Sequence, residues 1–308
     1  MAQHLKDRVA VVTGGGGAIG RGMCLELAAQ GAKVVINDIG GAVDGSGASH
    51  GPADQVVDEI KSAGGQAIAH YDSVASMVGG EALMQSALDN FGRLDILVHA
   101  AGILRDRMLF NMTEEEWDSV IAVHLKGMFA TAKPASIIFR QQRSGRIIGF
   151  SSTSGLYGQA GQTNYGAAKD GIAGFVRVVA RDLGRYGATV NGIAPAADTR
   201  MTATISDQAR DLRQRAGMGD STPKLTEASR DPLDVAPLVA YLCTDHAKDI
   251  NGYTFFAAGG TVSLFNNPWP ARSMYKGGRW TFEEIGRLFP QTLGKDLVNP
   301  APPLPSKE

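Results

Sequence analysis

The chain has 308 residues, with 39 glycines and a net charge of −1. This length suits one large α/β domain or two small ones, and the high glycine content is typical of a fold with many tight turns. The basic residues are scattered, so electrostatics give no reason to expect a nucleic-acid or membrane partner. No apolar run approaches the roughly eighteen residues of a membrane helix, which argues against a helical membrane span.

The ends of the chain and its cysteines predict a cytoplasmic protein. The first strand is expected to begin at Arg8, which leaves no room for a signal peptide. The final residues, Pro-Ser-Lys-Glu, lack the Ser-Lys-Leu address of peroxisomal proteins. Cys24 and Cys243 lie far apart in the sequence and fit reduced core residues. We expect no metal site.

The first segment combines a strand, a glycine-rich turn and a helix. Residues 8–13 are mostly β-branched and predict a buried strand. Gly14–Gly20 follow, and then an amphipathic helix that Gly31 closes as its C-cap. Bare N–H groups and the helix dipole at such a turn favour a phosphate. A second strand ends in Asp38, near the spacing expected for an acid that binds an adenosine ribose.

Apolar strands alternate with helical patterns along the rest of the chain. This alternation predicts a parallel sheet with right-handed crossover connections. Residues 40–52 are too rich in glycine and serine for a strand or a helix and predict a loop. The predicted strands lie at 8–13, 33–38, 66–71, 94–100, 145–152, 189–195 and 252–259.

Residues 152–169 contain a serine, a tyrosine and a lysine at a chemically informative spacing. Tyr165 and Lys169 share one face of a helix, with Cβ atoms about 5–6 Å apart. An ammonium at that distance favours the phenolate, so we expect Lys169 to lower the pKa of Tyr165 toward neutrality. A tyrosine in this state can exchange a proton with an alcohol oxygen. On its own, such a pair is more often an ordinary solvated helix face.

Four ordered motifs over residues 5–262 resemble the short-chain dehydrogenase/reductase family. They are TGxxx[AG]xG at Thr13–Gly20, the set Ser152, Tyr165 and Lys169, HAAG at His99–Gly102 in place of the usual NNAG, and N-x-I-x-P from Asn191. Within the family, the chain is most similar to the (3R)-hydroxyacyl-CoA dehydrogenase modules of the type 2 peroxisomal multifunctional enzymes. The segments that carry this likeness are 37–41, 53–60, 71–74, 101–107 and 123–127.

The resemblance implies an α/β fold. We expect a single Rossmann-type, doubly wound parallel sheet of seven strands with helices on both faces, plus a C-terminal extension. The dinucleotide-binding catalytic domain is placed at residues 1–264, with a substrate lid at 203–230.

The extension at 265–308 contains aromatic residues that water would not favour exposed. We expect it to pack on the domain, on a neighbouring subunit or over the substrate entrance. Thr281 and Glu284 predict a capping box for a short helix through Leu288. The Pro-rich last ten residues are expected to be extended or disordered. The aromatic residues are Trp269, Tyr275, Trp280, Phe282 and Phe289.

The family assigns roles to the candidate catalytic residues. Tyr165 is expected to pass a proton to or from the substrate oxygen, and Lys169 to lower the pKa of Tyr165 and hold the nicotinamide ribose. Ser152 is expected to donate a hydrogen bond to the same oxygen. His124 stands where the family often has an asparagine that supports a proton-relaying water. It is either part of such a relay or a structural histidine bonded to a backbone carbonyl.

The resemblance also implies a nicotinamide coenzyme, NAD in preference to NADP. Asp38 would accept bonds from both adenosine ribose hydroxyls and repel a 2′-phosphate, and no basic residue at 15–18 or 39–41 offsets that repulsion. Arg21 is the nearest alternative and is expected to point elsewhere. The candidate coenzyme-binding residues are Gly14, Gly17, Ile19, Gly20, Asp38, Asp72, Ser73, Ala100, Gly102, Tyr165, Lys169, Pro195 and Thr199.

The leading hypothesis is an NAD-dependent oxidoreductase that transfers a hydride between nicotinamide and a secondary alcohol or ketone, with a 3-hydroxyacyl-CoA as the best substrate guess. One alternative is a hydroxysteroid, terpenoid or aromatic alcohol as substrate, and another is a non-catalytic subunit that uses the fold for assembly. Helices expected within 113–139 and 164–185 carry apolar residues on more than one face, so we expect a homodimer or homotetramer.

Overall fold

The computed structural model describes residues 3–199 and 230–300. In these residues eight strands form a single sheet: β1 Val9–Thr13, β2 Lys33–Asn37, β3 Gln66–His70, β4 Ile96–His99, β5 Gly145–Phe150, β6 Ala188–Pro195, β7 Thr254–Ala258 and β8 Thr261–Leu264. Their order is β3-β2-β1-β4-β5-β6-β7-β8. The first seven strands pair in parallel, and β8 is antiparallel to β7. Each of the seven predicted strands is therefore confirmed.

The predicted count of seven strands is wrong by one. Ala258 pairs with Thr261, which leaves Gly259 and Gly260 as a two-residue turn between β7 and β8. Gly259 has a positive φ of 51°, a conformation that glycine adopts without strain. Most of β8 is exposed, so it lacks the buried apolar run that identifies the other strands. The Gly-Gly pair is the sequence signal that would have indicated this hairpin.

Helices cover both faces of the sheet, which confirms the doubly wound arrangement. On one face, the helices at 18–29, 51–62 and 236–243 pack with alternate strand residues such as Ala10 and Val12 in one apolar cluster. On the other face, the helices at 77–91, 127–142 and 163–184 pack with the intervening strand residues, such as Val9 and Val11, in a second apolar cluster. The helices are α1 Ala18–Ala29, α2 Gly51–Ser62, α3 Met77–Phe91, α4 Glu114–Ile121, α5 Gly127–Gln142, α6 Thr153–Leu156, α7 Thr163–Gly184, α8 Ala236–Cys243 and α9 Phe282–Leu288.

Two helix ends confirm predictions from the sequence. Gly31, just after α1, has a φ of 96°, as expected for a residue that ends a helix. At the start of α9 the Glu284 amide donates to Thr281 Oγ1 at 3.2 Å, and the Thr281 amide donates to Glu284 Oε2 at 2.9 Å. This reciprocal pair is the predicted capping box.

The described residues fall into two compact units, one of 3–199 with 230–265 and the other of 266–300. The candidate lid at 203–230 lies outside the described residues except for Arg230, and so do residues 301–308 of the Pro-rich end. Within the described parts, no helix is long and apolar enough to cross a membrane.

Candidate active site

The glycine-rich turn after β1 forms a close backbone cradle. Gly14 has a φ of 68°, and a Cβ added there would lie 2.9 Å from the Ala101 Cα. A Cβ on Gly20 would lie 2.0 Å from the Gly14 carbonyl oxygen, so this helix start requires glycine. Gly17 is the N-cap of α1, and Ile19 in its first turn packs against the core. The N-terminus of α1, which begins at Ala18 directly after this turn, suits a phosphate group.

Asp38 follows β2 and lies against the same turn. Its Oδ2 accepts a hydrogen bond from the Gly16 amide at 2.9 Å, and its Oδ1 accepts one from the Gly40 amide at 2.7 Å. Each carboxylate oxygen retains capacity for another donor, such as a ribose hydroxyl. Arg21 points away, since its Nε donates to Glu59 at 3.0 Å. The expected orientation of Arg21 is confirmed.

The end of β4 is joined to the end of β1 beside the glycine turn. Thr13 Oγ1 accepts hydrogen bonds from the amides of Ala100 and Ala101, both at 3.1 Å. Because neighbouring parallel strands end at one edge of the sheet, Ala100 and Gly102 lie next to the cradle.

The other candidate coenzyme-binding residues follow strands that end at the same edge of the sheet. Asp72 and Ser73 come after β3 and are exposed. The side-chain Nδ2 of Asn37 donates a hydrogen bond to the backbone carbonyl of Asp72 at 2.9 Å. Pro195 ends β6, and Thr199 lies beyond it in irregular chain. Sequence reasoning did not single out Asn37, although a buried polar residue at a strand end is the signal that would have found it.

The structure brings Ser152, Tyr165 and Lys169 together. Ser152 follows β5 and caps α6, where its Oγ accepts from the Ser154 amide at 3.1 Å. Tyr165 and Lys169 lie on α7, and the Lys169 Nζ is 5.5 Å from the centre of the Tyr165 ring. The Ser152 hydroxyl lies close enough to the Tyr165 hydroxyl to favour its ionised form. The predicted proximity of the three groups is thus present.

Lys169 is a buried lysine with one fixed partner. Its side chain is 4% exposed, and Nζ donates to the Phe150 carbonyl at 2.7 Å. Loss of solvation lowers its pKa to about 7. Lys169 therefore changes charge within the physiological range.

The expected lowering of the Tyr165 pKa is wrong for this structure. Desolvation raises the pKa of Tyr165 to about 12, and the hydrogen bond from Ser152 opposes this rise only in part. Helical spacing brings Lys169 close, but the same burial disfavours both the ammonium and the phenolate. At neutral pH the tyrosine is a phenol that can donate its proton.

His124 lies in a π-helical turn, Ala122–Lys126, between α4 and α5. Its ring centre is 5.1 Å from that of Tyr165, with an angle of 88° between the rings. Its Nε2 lies 3.0 Å from the Ile103 amide nitrogen and 2.8 Å from the Ile103 carbonyl oxygen. Burial holds the pKa of His124 well below its usual range, so the ring is neutral.

Asn164 is a site residue that the sequence analysis missed. It is completely buried, and its Nδ2 donates to the carbonyls of Arg105 at 3.0 Å and Glu116 at 2.8 Å. Its Oδ1 accepts from the Tyr165 amide at 2.7 Å. Asn164 thereby fixes the helix start that carries Tyr165. Its position beside the candidate tyrosine is the only sequence signal for it.

These features fit a dinucleotide with a reactive ring. The glycine cradle leaves room for a phosphate backbone, since the Cβ atoms that would fill it are absent. Asp38 would hold a ribose beside it. The Ser152 and Tyr165 hydroxyls lie next to each other, and the Lys169 ammonium is close to the tyrosine ring.

The comparison with known proteins agrees with this geometry. Residues 8–210 match the family described as short chain dehydrogenase, and the chain belongs to the short-chain dehydrogenase/reductase family. The protein is therefore an oxidoreductase of a family that uses nicotinamide coenzymes, NAD or NADP.

Three relatives illustrate the similarity. The peroxisomal multifunctional enzyme type 2 of Drosophila melanogaster is 44% identical over 257 residues, which cover 83% of this chain and 40% of that protein. The hydroxyacyl-CoA dehydrogenase ChsB1 of Mycobacterium tuberculosis is 41% identical over 276 residues, which cover 86% of this chain and 81% of that protein. The crystal structure of a short chain dehydrogenase from Mycobacterium avium superposes with a TM-score of 0.80 at 42% identity, covering 98% of each chain. The predicted resemblance is confirmed.

The low pKa of Lys169 predicts a pH-dependent stability. The folded protein releases this proton near pH 7 and the unfolded chain near 10.5. The unfolded state therefore binds more protons between these values, and stability rises with pH across this window. Lys169→Met removes the cost of burying the ammonium. The free energy of unfolding of the variant should therefore exceed that of the wild type most at acid pH, and the difference should shrink as pH rises. Urea unfolding of both proteins measures it, and a pH-independent difference would contradict the buried, destabilising ammonium.

Proposed function

We propose that the protein is an NAD-dependent dehydrogenase that interconverts a 3-hydroxyacyl-CoA and the corresponding 3-oxoacyl-CoA. The observation that carries the reaction class is the assembly of Ser152, Tyr165 and Lys169 beside the glycine cradle. A subunit that only served assembly would not need these groups in contact.

The residues perform distinct tasks in this reaction. The Tyr165 hydroxyl, protonated at neutral pH, donates its proton to the carbonyl oxygen during reduction and takes it back during oxidation. The Ser152 hydroxyl donates a hydrogen bond to the same oxygen and stabilises its developing negative charge. Lys169 supplies a nearby positive charge when protonated and a donor for a ribose hydroxyl. A nicotinamide coenzyme, when bound, would supply the hydride transfer, and the positive charge of its oxidised form would favour the Tyr165 phenolate.

Asp38 supports NAD over NADP. Its carboxylate faces the cradle and would repel a 2′-phosphate, and the guanidinium of Arg21, in the first turns of α1, is paired with Glu59. No lysine or arginine lies at positions 39–41 to offset the repulsion.

The substrate proposal rests on similarity rather than on a binding motif. Two relatives are named as a multifunctional enzyme of peroxisomes and as a hydroxyacyl-CoA dehydrogenase. The second aligns over most of its own length, so its name describes a protein of comparable extent. We propose a cytoplasmic location, for which the two buried thiols, Cys24 and Cys243, are the supporting observation.

A panel of alcohols with NAD tests this function directly. We expect 3-hydroxyacyl-CoA thioesters to give the highest kcat/KM, above free hydroxysteroids, terpenoid alcohols and aromatic alcohols. Formation of reduced nicotinamide is followed by its absorbance. A clear preference for a free alcohol would retain the reaction and refute the acyl-CoA substrate, and no turnover with any member would refute the proposed activity.

Tyr165→Phe should remove nearly all turnover while the affinity for NAD stays close to that of the wild type. The substitution deletes the proton donor and keeps the ring, and loss of general acid–base catalysis costs about 10²–10⁴-fold. Tyr186→Phe, near the opposite end of α7, is the matched control and should retain full activity. Steady-state kinetics and an NAD fluorescence titration measure both effects. Activity of Tyr165→Phe within a few-fold of wild type would exclude the assigned role.

The double substitution Asp38→Ala with Ile39→Arg should shift the coenzyme preference toward NADP. The first change removes the repelling carboxylate, and the second adds a cation that can pair with the 2′-phosphate. Competitive titration of the two coenzymes measures the preference. Asp38→Asn is the control, because its side-chain oxygen can still accept a hydrogen bond from a backbone amide. A wild-type protein that already prefers NADP would show that the ribose argument is wrong.

We also propose that two copies pair through α5 and α7. Apolar side chains of both helices remain exposed, with Phe129 at 45% and Val178 at 59%. They line a shallow groove of about 580 Å³ together with Leu125 and Phe175. A second copy is the proposed occupant because a symmetric pairing covers this face on both chains at once.

Light scattering should therefore give a dimer or tetramer for the wild type. Val178→Asp places a charge in the groove and should yield a smaller species. Val78→Asp, at a valine on α3 that is even more exposed than Val178, is the control and should leave the assembly unchanged. A wild-type monomer at micromolar concentration would contradict the pairing.

A further inference from the structure

The last turns of α5 and α7 form a basic cavity of about 480 Å³. Arg140 lies in the last turn of α5, Arg181 lies in the last turn of α7, and Arg185 follows α7 directly. All three arginines line the cavity. They belong to two separate segments of the sequence, so it is the fold that brings them together.

This cavity lies at the opposite edge of the sheet from the catalytic groups. α5 leads into β5 and α7 leads into β6, so both helices end where these strands begin. Ser152 instead follows the end of β5, and the glycine cradle follows the end of β1. Because these strands run parallel, their beginnings share one edge of the sheet and their ends share the other. The cavity is therefore separate from the candidate active site.

Among the described residues, the arginines of the cavity have no carboxylate partner. The guanidinium groups of Arg140 and Arg181 form neither an ion pair nor a side-chain hydrogen bond there. That of Arg185 lies 4.9 Å from the centre of the Tyr186 ring, a contact that leaves its N–H donors free. Of the described residues that line the cavity, Asp182 is the only one with a negative charge.

Several arginines elsewhere in the described ranges do pair with acids. Arg21 pairs with Glu59, and the buried Arg146 pairs with Asp245 at 3.0 Å. The cavity, by contrast, holds three arginines against one aspartate, which leaves an excess of two positive charges. Like charges held close together repel, so an anion in the cavity would stabilise this arrangement.

Cations at the C-terminal ends of helices also offset the helix dipole. α2 shows how one residue serves that purpose, since Lys61 is the basic residue of its last turn. The cavity differs because side chains from two helices meet around one space, and because Arg185 lies beyond the last residue of α7. All three cations are arginines, whose planar N–H fork matches the oxygen atoms of a phosphate.

We propose that this cavity binds a phosphorylated organic molecule whose phosphate is held by Arg140, Arg181 and Arg185. A phosphate monoester carries a charge of about −1.5 to −2 at pH 7, which offsets the excess positive charge. Small-molecule sites typically measure roughly 300–1,000 Å³, so this cavity has room for more than the phosphate alone. Ile137 and Leu183 supply apolar surface for the organic part. Soluble phosphate esters and lipid headgroups share this chemistry, and the proposal does not depend on the dehydrogenase function.

Phenyl phosphate is the probe, and calorimetric titration of the full chain measures its affinity. NAD is kept at saturation so that the glycine cradle, a second candidate phosphate site, is occupied. Arg140→Gln and Arg181→Gln should each weaken binding about tenfold, because each removes a charge-assisted donor. Arg181→Lys keeps the charge but loses the fork and should have a smaller effect. Asp182→Asn removes the opposing charge and should strengthen binding.

Lys61→Gln is the matched control, because it also removes a cation from the last turn of a helix. It should leave the affinity for phenyl phosphate unchanged. Equal affinities of Arg140→Gln, Arg181→Gln and Lys61→Gln would show that the arginines only offset helix dipoles and would overturn the proposal. Binding that NAD abolishes would place the phosphate in the glycine cradle and would overturn it as well. A protein that binds no NAD would contradict the proposed function, while the arginine variants would still test the cavity.

Two further measurements identify the source of the phosphate and the role of the arginines. Because the arginines line a cavity, we expect a soluble ester and no co-sedimentation with phosphatidylcholine vesicles that contain phosphatidic acid. Co-sedimentation that Arg181→Gln abolishes would support the phosphate site with a lipid headgroup as its source. Light scattering of Arg181→Gln should give the wild-type assembly. A smaller species with unchanged affinity for phenyl phosphate would assign the arginines to the pairing of two copies and would overturn the proposal.

Discussion

The burial of the Lys169 ammonium is the interaction on which the chemistry of this site depends. Lys169 is 4% exposed, and within the described ranges its ammonium hydrogen-bonds only to the Phe150 carbonyl, so it holds its proton weakly, with a pKa of about 7. Desolvation of the half-buried Tyr165 makes it hold its proton more firmly, with a pKa of about 12. At neutral pH the site therefore contains a protonated Tyr165 hydroxyl beside a Lys169 ammonium that readily loses its proton. Any positive charge that a bound coenzyme adds acts in a medium where electrostatic effects are strong.

A short segment, residues 101–107, transmits this arrangement to the rest of the site. Leu104 and Arg105 bond to the loop after Asp38, with Arg105 Nε donating to the Asp44 carbonyl at 2.9 Å. Ile103 bonds to the His124 ring, and the Arg105 carbonyl accepts from Asn164, directly before Tyr165. The segment thus connects the loop after Asp38 with the catalytic helix, and two buried polar side chains, His124 and Asn164, hold it on the side of that helix.

Much of this fold could be predicted because its strands are buried apolar runs separated by glycine turns. β8 was missed because an edge strand of four residues, three of them exposed, carries no such pattern. The proximity of Tyr165 and Lys169 followed from helical spacing, but their pKa values did not, since spacing says nothing about burial. The contact between His124 and Ile103 joins residues 21 positions apart through a π-helical turn, and neither the turn nor the pairing has a signal in a single sequence.

The claim that burial governs the proton states of this site is tested most directly by a tyrosinate titration. The ultraviolet difference spectrum between the wild type and Tyr165→Phe isolates the ionisation of this one hydroxyl in the protein alone. The structure predicts that Tyr165 stays protonated beyond about pH 10, where ordinary tyrosines ionise, and loses its proton only near pH 12. Ionisation of Tyr165 near neutral pH would show instead that the Lys169 charge outweighs burial, and would contradict the account.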